Sequence, residues 1–282
     1  MQGEPSMTTR TRNGGSTSRG GQLPAHRKAD LAAYVANAGQ VTVAELAERF
    51  QVSLDTVRRD LDELDQAGTI LRTHGGAVSP SLVPRTDTGL DVRSRLHSGA
   101  KDVIGRLAAE LVVGDSTLMV NGGTTTLALA KHLPSRAGLR IITNNLHLPS
   151  ALPAGAAEEI FVVGGTVRLS AQATTGPLFS AFGLDHASDL DVRCDLAFIG
   201  VGAVSTDEGY STGNVSEAGL MREMMRRSDK VVVLADASKL GRSVFARIGT
   251  LDVADVLVTD RAPSPDLAAA LAAAGVEVVH PR

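Results

Sequence analysis

Two adjacent arginines, Arg58 and Arg59, stand among acidic residues in the stretch VSLDTVRRDLDEL at 52–64. An arginine fork can read guanine in a DNA groove, or it can pair with a carboxylate one helical turn away. The apolar residues recur at intervals of three and four, which predicts a helix whose buried stripe is Leu54, Val57, Leu61 and Leu64. The competing ion pairs join Asp55 to either arginine, Arg58 to Asp62 and Arg59 to Glu63. These residues alone leave both interpretations open.

The elements on either side of the arginines favour DNA. TVAELAERF begins with Thr42 and has Glu45 three residues later, a capping-box pattern, and Ser53 is placed to cap the arginine helix. TILRTHGGAV predicts a short hairpin. Three helices and a hairpin predict an α+β winged helix-turn-helix over 25–78.

In such a domain the N-terminal half of the third helix contacts bases, and helix starts and the hairpin contact phosphates. The acidic C-terminal half of the helix then points away from the phosphates. We expect DNA contacts from Thr42, Ser53, Asp55, Thr56, Arg58, Arg59, Arg72 and His74.

The rest of the chain alternates apolar runs with Ala- and Leu-rich helical stretches. This predicts an α/β domain with a largely parallel sheet over 99–282. Residues 79–98 lack periodicity and predict a linker, and the polar residues 1–24 predict a disordered tail.

Several polar residues follow the predicted strands of this domain. In NGGTTT at 121–126, glycines permit close approach to a ligand and a helix N-terminus favours an anion, although Thr124 could simply cap its helix. Asn144 could bond a ligand or cap the next helix, and Glu217 could cap a helix. Lys239 could pair with Asp236.

Composition narrows the classes of protein. The formal net charge is −3, so any DNA binding must depend on local arrangement. The single cysteine rules out an intrachain disulfide, and the longest apolar run is too short to span a bilayer. We expect a soluble cytoplasmic protein without a cofactor, metal spacing or membrane partner.

The stretch from VTVAELAERF to RTHGGAV resembles the N-terminal domain of the deoxyribose-operon regulator (DeoR) family. NGGTTTLALAKHL, ITNNL, VVGGTVR, STGNVSEA and LADASKLGR extend the resemblance over roughly 25–262. It implies a bacterial transcription factor, commonly a repressor. It also implies a C-terminal domain that senses a phosphorylated sugar and has a fold similar to ribose-5-phosphate isomerase and CoA transferases.

The resemblance implies that Gly123, Thr124 and Thr125 bind the phosphate and that Lys239 faces it. The other candidate effector residues are Asn121, Asn144, Gly165 and Glu217, and Gly165 could equally form a plain turn at the end of a strand. The family pattern has an acid where this chain has Asn121. A sugar-phosphate isomerase with an appended DNA-binding domain is the alternative. The residues at 200–203 after the central predicted strand offer it no general base. We expect operator DNA as partner and at least a dimer, without distinguishing dimer from tetramer.

Overall fold

The computed structural model describes residues 24–73, 75–79, 89–178 and 192–281. The helices are α1 (Pro24–Ala38), α2 (Val43–Phe50), α3 (Leu54–Gln66), α4 (Leu90–Arg95), α5 (Ser98–Ala109), α6 (Thr124–His132), α7 (Leu148–Ala151), α8 (Val215–Arg226) and α9 (Pro265–Ala273). The strands are β1 (Gln40–Thr42), β2 (Leu71–Thr73), β3 (Gly76–Val78), β4 (Thr117–Val120), β5 (Leu139–Thr143), β6 (Ala157–Val162), β7 (Thr166–Arg168), β8 (Ala173–Thr175), β9 (Cys194–Gly200), β10 (Ala203–Ser205), β11 (Gly209–Thr212), β12 (Ser228–Leu234), β13 (Ala246–Gly249), β14 (Val256–Val258) and β15 (Glu277–Val279).

The N-terminal helices and hairpin form the predicted winged helix-turn-helix. Helices α1 to α3 enclose a small core that includes Leu31, Leu46, Val57 and Leu61. The antiparallel hairpin β2–β3 gains β1 as a third strand, in the order β1–β3–β2. At Gly76 a Cβ atom would lie 1.9 Å from the carbonyl oxygen of Val41, so this strand pairing requires glycine.

Local capping fixes where the second and third helices begin. Thr42 and Glu45 form the predicted capping box, and the Ser53 hydroxyl accepts a hydrogen bond from the backbone N–H of Thr56 at 3.2 Å. The prediction that Leu54 joins the buried stripe is wrong, because its side chain is 46% exposed. As the first residue of α3, Leu54 lies beyond the core, and the stripe begins at Val57.

The segment between the two predicted domains contains a helix. Residues 80–88 and the predicted tail before Pro24 lie outside the described residues. Helix α4 lies within the predicted linker and leads into α5, and its Leu90 is buried.

The C-terminal half contains a seven-stranded sheet whose pairs are all parallel, in the order β15–β14–β12–β9–β4–β5–β6. Its two faces are covered separately. Met119 packs in the core that includes α8 and α9, whereas Leu118 and Val120 pack with α5 and α6. The parallel sheet covered by helices on both faces, which was predicted from the alternation of apolar runs and helical stretches, is confirmed.

Two small β structures were not predicted. Strands β7 and β8 form an antiparallel hairpin, and β10, β11 and β13 form a three-stranded sheet. In the described part of the chain, none of the helices has the length and apolar character needed to cross a membrane.

Candidate functional site

Every acidic residue of α3 is matched by a cation. The ion pairs are Asp55–Arg58, Asp60–Arg27, Asp62–Arg72, Glu63–Lys28 and Asp65–Arg95. Four of these cations come from other elements, so the acidity of the helix is neutralised from outside. Of the competing pairs read from the sequence, Asp55–Arg58 forms, whereas Asp62 and Glu63 pair with other cations.

This arrangement leaves Arg59 available. Its side chain is exposed, and within the described residues it makes no ion pair or hydrogen bond. Arg59 shares the exposed N-terminal half of α3 with Asp55, while Thr56 is half-buried. The region that would contact bases therefore holds one uncompensated guanidinium.

The two capping side chains are already engaged. The Thr42 hydroxyl accepts from the Glu45 N–H at 3.2 Å and donates to the Glu45 carboxylate at 2.9 Å. It has no proton left for a phosphate, and the nearby carboxylate would repel one. The Ser53 hydroxyl also lies 2.9 Å from the Thr56 hydroxyl and stays exposed.

Arg72 lies against α3 instead of extending from the wing. Its Nη1 atom donates to the backbone carbonyl of Arg58 at 2.7 Å and pairs with Asp62. Its side chain therefore neutralises an acid of α3. His74, the other predicted wing residue, lies outside the described residues.

The candidate effector residues surround a reversal in the strand order. From β4 the chain proceeds to β5 and β6 on one side, whereas β9 and the later strands lie on the other. Parallel sheets bind ligands beyond the carboxyl ends of their strands at such a point. The space between the ends of β4 and β9 is called the crevice below.

Asn121 ties the two strands together at the crevice. Its Nδ2 atom donates to the Gly200 carbonyl at 2.9 Å, and its Oδ1 atom accepts from the Gly200 N–H at 2.8 Å. An aspartate could accept the second bond but could not donate the first. The amide thus has a structural task that explains asparagine at this position, and both its polar atoms are engaged.

The start of α6 presents a buried hydroxyl without a partner. The Thr125 side chain is 2% exposed, and its Oγ1 atom has no hydrogen-bond partner within the described residues. Thr126 instead donates to the Asn121 carbonyl at 2.8 Å. Gly123 is the residue before α6, and no side chain caps this helix, so the capping role considered for Thr124 is not observed.

Asn144 holds the turn at Gly122 and Gly123 in place through its side-chain amide. Its Oδ1 atom accepts from the Gly122 N–H at 2.6 Å, and its Nδ2 atom donates to the Thr174 carbonyl at 2.7 Å. It does not cap α7. Gly165 lies in an exposed turn, where its N–H bonds the Thr175 carbonyl at 3.0 Å.

Glu217 and Lys239 are both paired near the crevice. The Glu217 carboxylate pairs with Arg168 and accepts from the Thr212 hydroxyl at 3.3 Å. The Lys239 ammonium donates to the Val201 carbonyl at 3.0 Å, just after β9, and lies 3.9 Å from the Asp236 carboxylate. The Asp236–Lys239 pair considered from the sequence is confirmed.

Two cations near the crevice, Lys101 and Arg93, were not predicted from the sequence. Lys101 is 5% exposed, and its ammonium donates to the carbonyls of Arg93 and Leu96. Burial first, then Lys239, lowers the pKa of Lys101 to about 7. The signal in the sequence was a lysine on the buried stripe of α5, which it shares with Ile104 and Ala108.

Arg93 is the second of these cations. Its Nε atom is buried without a hydrogen-bond partner in the part of the chain that is described. Burial lowers the pKa of Arg93, and the neighbouring charges of Glu217 and Arg168 act on it in opposite directions. A cleft of about 400 Å³ opens beside this cluster and is lined by Lys101 and Thr124 among others.

The positive charges of Lys101, Arg93 and Lys239 repel one another, which is costly unless carboxylates or a bound anion offset them. The Asp236 carboxylate is one such offset. Its burial raises its pKa, but Lys239, Ser238, His97 and Lys101 outweigh burial and hold the pKa below its usual range. The arrangement suits a small anion.

The described residues that directly follow β9 offer no general base. Val201, Gly202 and Ala203 carry no acid, and Asp207 and Glu208 lie in an exposed turn before β11. No group of three potential metal ligands occurs among the described residues.

Two family models match the chain. A DeoR-like helix-turn-helix domain matches residues 27–83, and a DeoR C-terminal sensor domain matches residues 96–261. The HTH-type transcriptional regulator GlpR of Haloferax volcanii is 32% identical over 91% of this chain and 98% of its own length. The glycerol-3-phosphate regulon repressor of Escherichia coli is 33% identical over 80% and 86%.

A solved ribose 5-phosphate isomerase from Methanocaldococcus jannaschii overlaps 51% of this chain and 54% of its own, with a TM-score of 0.34 and 16% identity. The sensor model alone spans more than half of the sequence, and a helix-turn-helix precedes it. The chain therefore belongs to the DeoR family of DNA-binding transcriptional regulators.

Proposed function

We propose that the protein is a repressor whose winged helix-turn-helix binds operator DNA through the N-terminal half of α3. The observation that carries this proposal is the pairing of every acid on α3, which leaves Arg59 exposed and unpaired among the described residues. Arg59 contacts guanine, and Ser53 and Arg58 contact the DNA backbone. The exposed side chain of Leu54 is available to a thymine methyl group.

Substitution of Arg59 tests this docking. Arg59→Ala should weaken specific binding by about 1–3 kcal/mol and leave the fold intact. Arg106→Ala, on the exposed surface of α5, is the matched control. Fluorescence anisotropy on DNA upstream of the protein's own gene measures the effect, and equal operator affinity in the two variants would refute the pose.

The crevice is proposed to bind a phosphorylated sugar or a related small anion. Three features support this: the Thr125 hydroxyl, which has no partner among the described residues, the N-terminus of α6, and the cations Lys101 and Lys239. Thr124 and Gly123 place backbone N–H groups at the phosphate. The two relatives named above include a glycerol-3-phosphate regulon repressor, which makes glycerol 3-phosphate a suitable first probe.

Asn121, Asn144 and Glu217 are proposed to support the site without contacting the phosphate, and Gly165 stays a prediction. Asn121 and Asn144 shape the site through backbone hydrogen bonds, and Glu217 orients Arg168. A thermal-shift series with glycerol 3-phosphate, ribose 5-phosphate, fructose 6-phosphate and the three corresponding unphosphorylated compounds tests whether the effector is a phosphorylated compound. We expect only phosphorylated compounds to raise the melting temperature, and equal shifts from both sets would refute a phosphate site.

Assembly into at least a dimer is part of the proposal, because paired half-sites require two winged domains. Strand β6 is an edge of the large sheet and leaves Phe161 and Val162 41% and 43% exposed. This exposed edge supports oligomerisation through the sensor domain.

A further inference from the structure

Helix α4 carries two arginines that face in different directions. Arg93 and Arg95 are two residues apart, which places them roughly 200° apart around a helix. Arg95 donates through Nη1 to the Asp65 carboxylate of α3 at 3.1 Å. Arg93 lies close enough to Lys101, Arg168 and Glu217 for their charges to act on it. One short helix therefore contacts α3 through Arg95, and its Arg93 carbonyl accepts from Lys101, which lines a cleft together with Thr124 at the start of α6.

The contact with α3 also involves the backbone. A Cβ atom on Gly68 would lie 2.2 Å from the carbonyl oxygen of Arg95 and 2.4 Å from the backbone nitrogen of His97. The Ser98 hydroxyl donates to the Gln66 carbonyl at 3.2 Å. Because these backbones are packed this closely, the C-terminal end of α3 cannot shift far without moving the segment that joins α4 to α5.

The last turn of α4 is held by Lys101, a cation that an anion in the crevice would attract. The Lys101 ammonium donates to the carbonyls of Arg93 and, at 2.5 Å, Leu96, so it secures the last turn of α4. The Arg93 Nε–H is buried without a partner among the described residues. A phosphate beside these groups would accept from Arg93 and draw Lys101 away from the two carbonyls.

We propose that Arg93 is a direct contact of the anionic effector and that α4 transmits the bound state to α3 through the Arg95–Asp65 ion pair. This inference rests on the proposed function, in which the crevice binds a phosphorylated compound. It assigns two faces of α4 separable roles, binding at Arg93 and transmission at Arg95. A ligand can shift DNA affinity only through contacts that differ between the two states, and the contacts of Lys101 and Arg93 supply that difference.

The test compares three variants of the full-length chain: Arg93→Gln, Arg95→Gln and the exposed control Arg106→Gln. Calorimetry with inorganic phosphate and glycerol 3-phosphate measures ligand affinity, and anisotropy measures operator affinity with and without the same compounds. Of inorganic phosphate and glycerol 3-phosphate, the compound that the wild type binds more tightly is the one compared among the variants. Arg93→Gln should bind it about tenfold or more weakly, because a hydrogen bond to a charged group is lost. Arg95→Gln should bind that probe as the wild type does.

The distinguishing result concerns Arg95→Gln. Its ligand-induced change in operator affinity should be at least about threefold smaller than in the wild type. The Arg95 side chain is 53% exposed, so this variant should fold, and Asp65→Asn gives a second break in the same pair.

Three outcomes would overturn the inference. The first is a full ligand effect in both Arg95→Gln and Asp65→Asn, which leaves the crevice proposal intact. The second is wild-type probe affinity in Arg93→Gln. The third is a wild-type protein that binds neither probe, which removes the proposed crevice function and this inference with it.

Discussion

Lys101 makes stability depend on pH in a direction that can be calculated. In the folded protein burial lowers its pKa from 10.5 to about 7. A difference of that size corresponds to roughly 5 kcal/mol between the two protonation states. The folded state therefore disfavours the charged ammonium that the unfolded chain carries.

The sign follows from proton counts. Between pH 7 and pH 10.5 the unfolded chain keeps the Lys101 proton and the folded protein has lost it, so the free energy of unfolding rises with pH. Below pH 7 both states are protonated and this contribution becomes constant. Between pH 7 and pH 9 the gain should be about 2 kcal/mol.

Urea denaturation of the wild type and Lys101→Met at pH 6, 7, 8 and 9 measures this contribution. The wild-type value minus the variant value should rise by about 2 kcal/mol from pH 7 to pH 9 and stay flat below pH 6. Burial raises the pKa of Cys194 to about 12, which acts above pH 9 and equally in both proteins. A difference between the two proteins that is independent of pH would refute a neutralised Lys101.

Four further predictions concern binding, stability and assembly. Thr125→Val removes a buried hydroxyl that has no partner in the described part of the chain, so the free energy of unfolding without ligand should stay the same or rise, as urea denaturation measures. The same variant should bind glycerol 3-phosphate about tenfold more weakly in calorimetry, and unchanged affinity would contradict this. Arg27→Met should destabilise by about 3–5 kcal/mol in urea denaturation, because it leaves Asp60, 4% exposed, without its cation; a loss below about 1 kcal/mol would contradict this. At pH 8, binding of glycerol 3-phosphate should take up protons through Lys101, seen as a calorimetric enthalpy that differs between Tris and HEPES and does not differ in Lys101→Met. Phe161→Lys on the edge strand should lower the molar mass measured by light scattering, and an unchanged mass would exclude β6 from the interface.

Local signals in the sequence were reliable where they depend on neighbouring residues. The capping box of Thr42 and the cap at Ser53 each involve residues three apart, so a short stretch defines them. The alternation of apolar runs likewise predicted the parallel sheet, because strands buried on both faces must be apolar throughout. Leu54 is the exception, since a stripe alone does not show where the core ends.

Long-range pairing could not be read in the same way. The role of Arg72 depends on its pairing with Asp62. The role of Asn121 depends on its hydrogen bond to Gly200, which lies 79 residues later in the chain. Nothing near Arg72 indicates that it turns back onto α3 to neutralise an acid. The strands β10 and β11 were missed because each is short and lies in a small sheet beside the main one.

The most direct measurement is fluorescence anisotropy of the full-length chain on DNA upstream of its own gene, with and without glycerol 3-phosphate, ribose 5-phosphate and fructose 6-phosphate. We expect specific, salt-dependent binding that at least one phosphate weakens by about fivefold or more, whereas the corresponding unphosphorylated compound has no effect. Binding that no phosphate changes would contradict the proposed crevice. The absence of specific binding on every fragment tested would contradict the assignment of Arg59 and α3 to operator DNA.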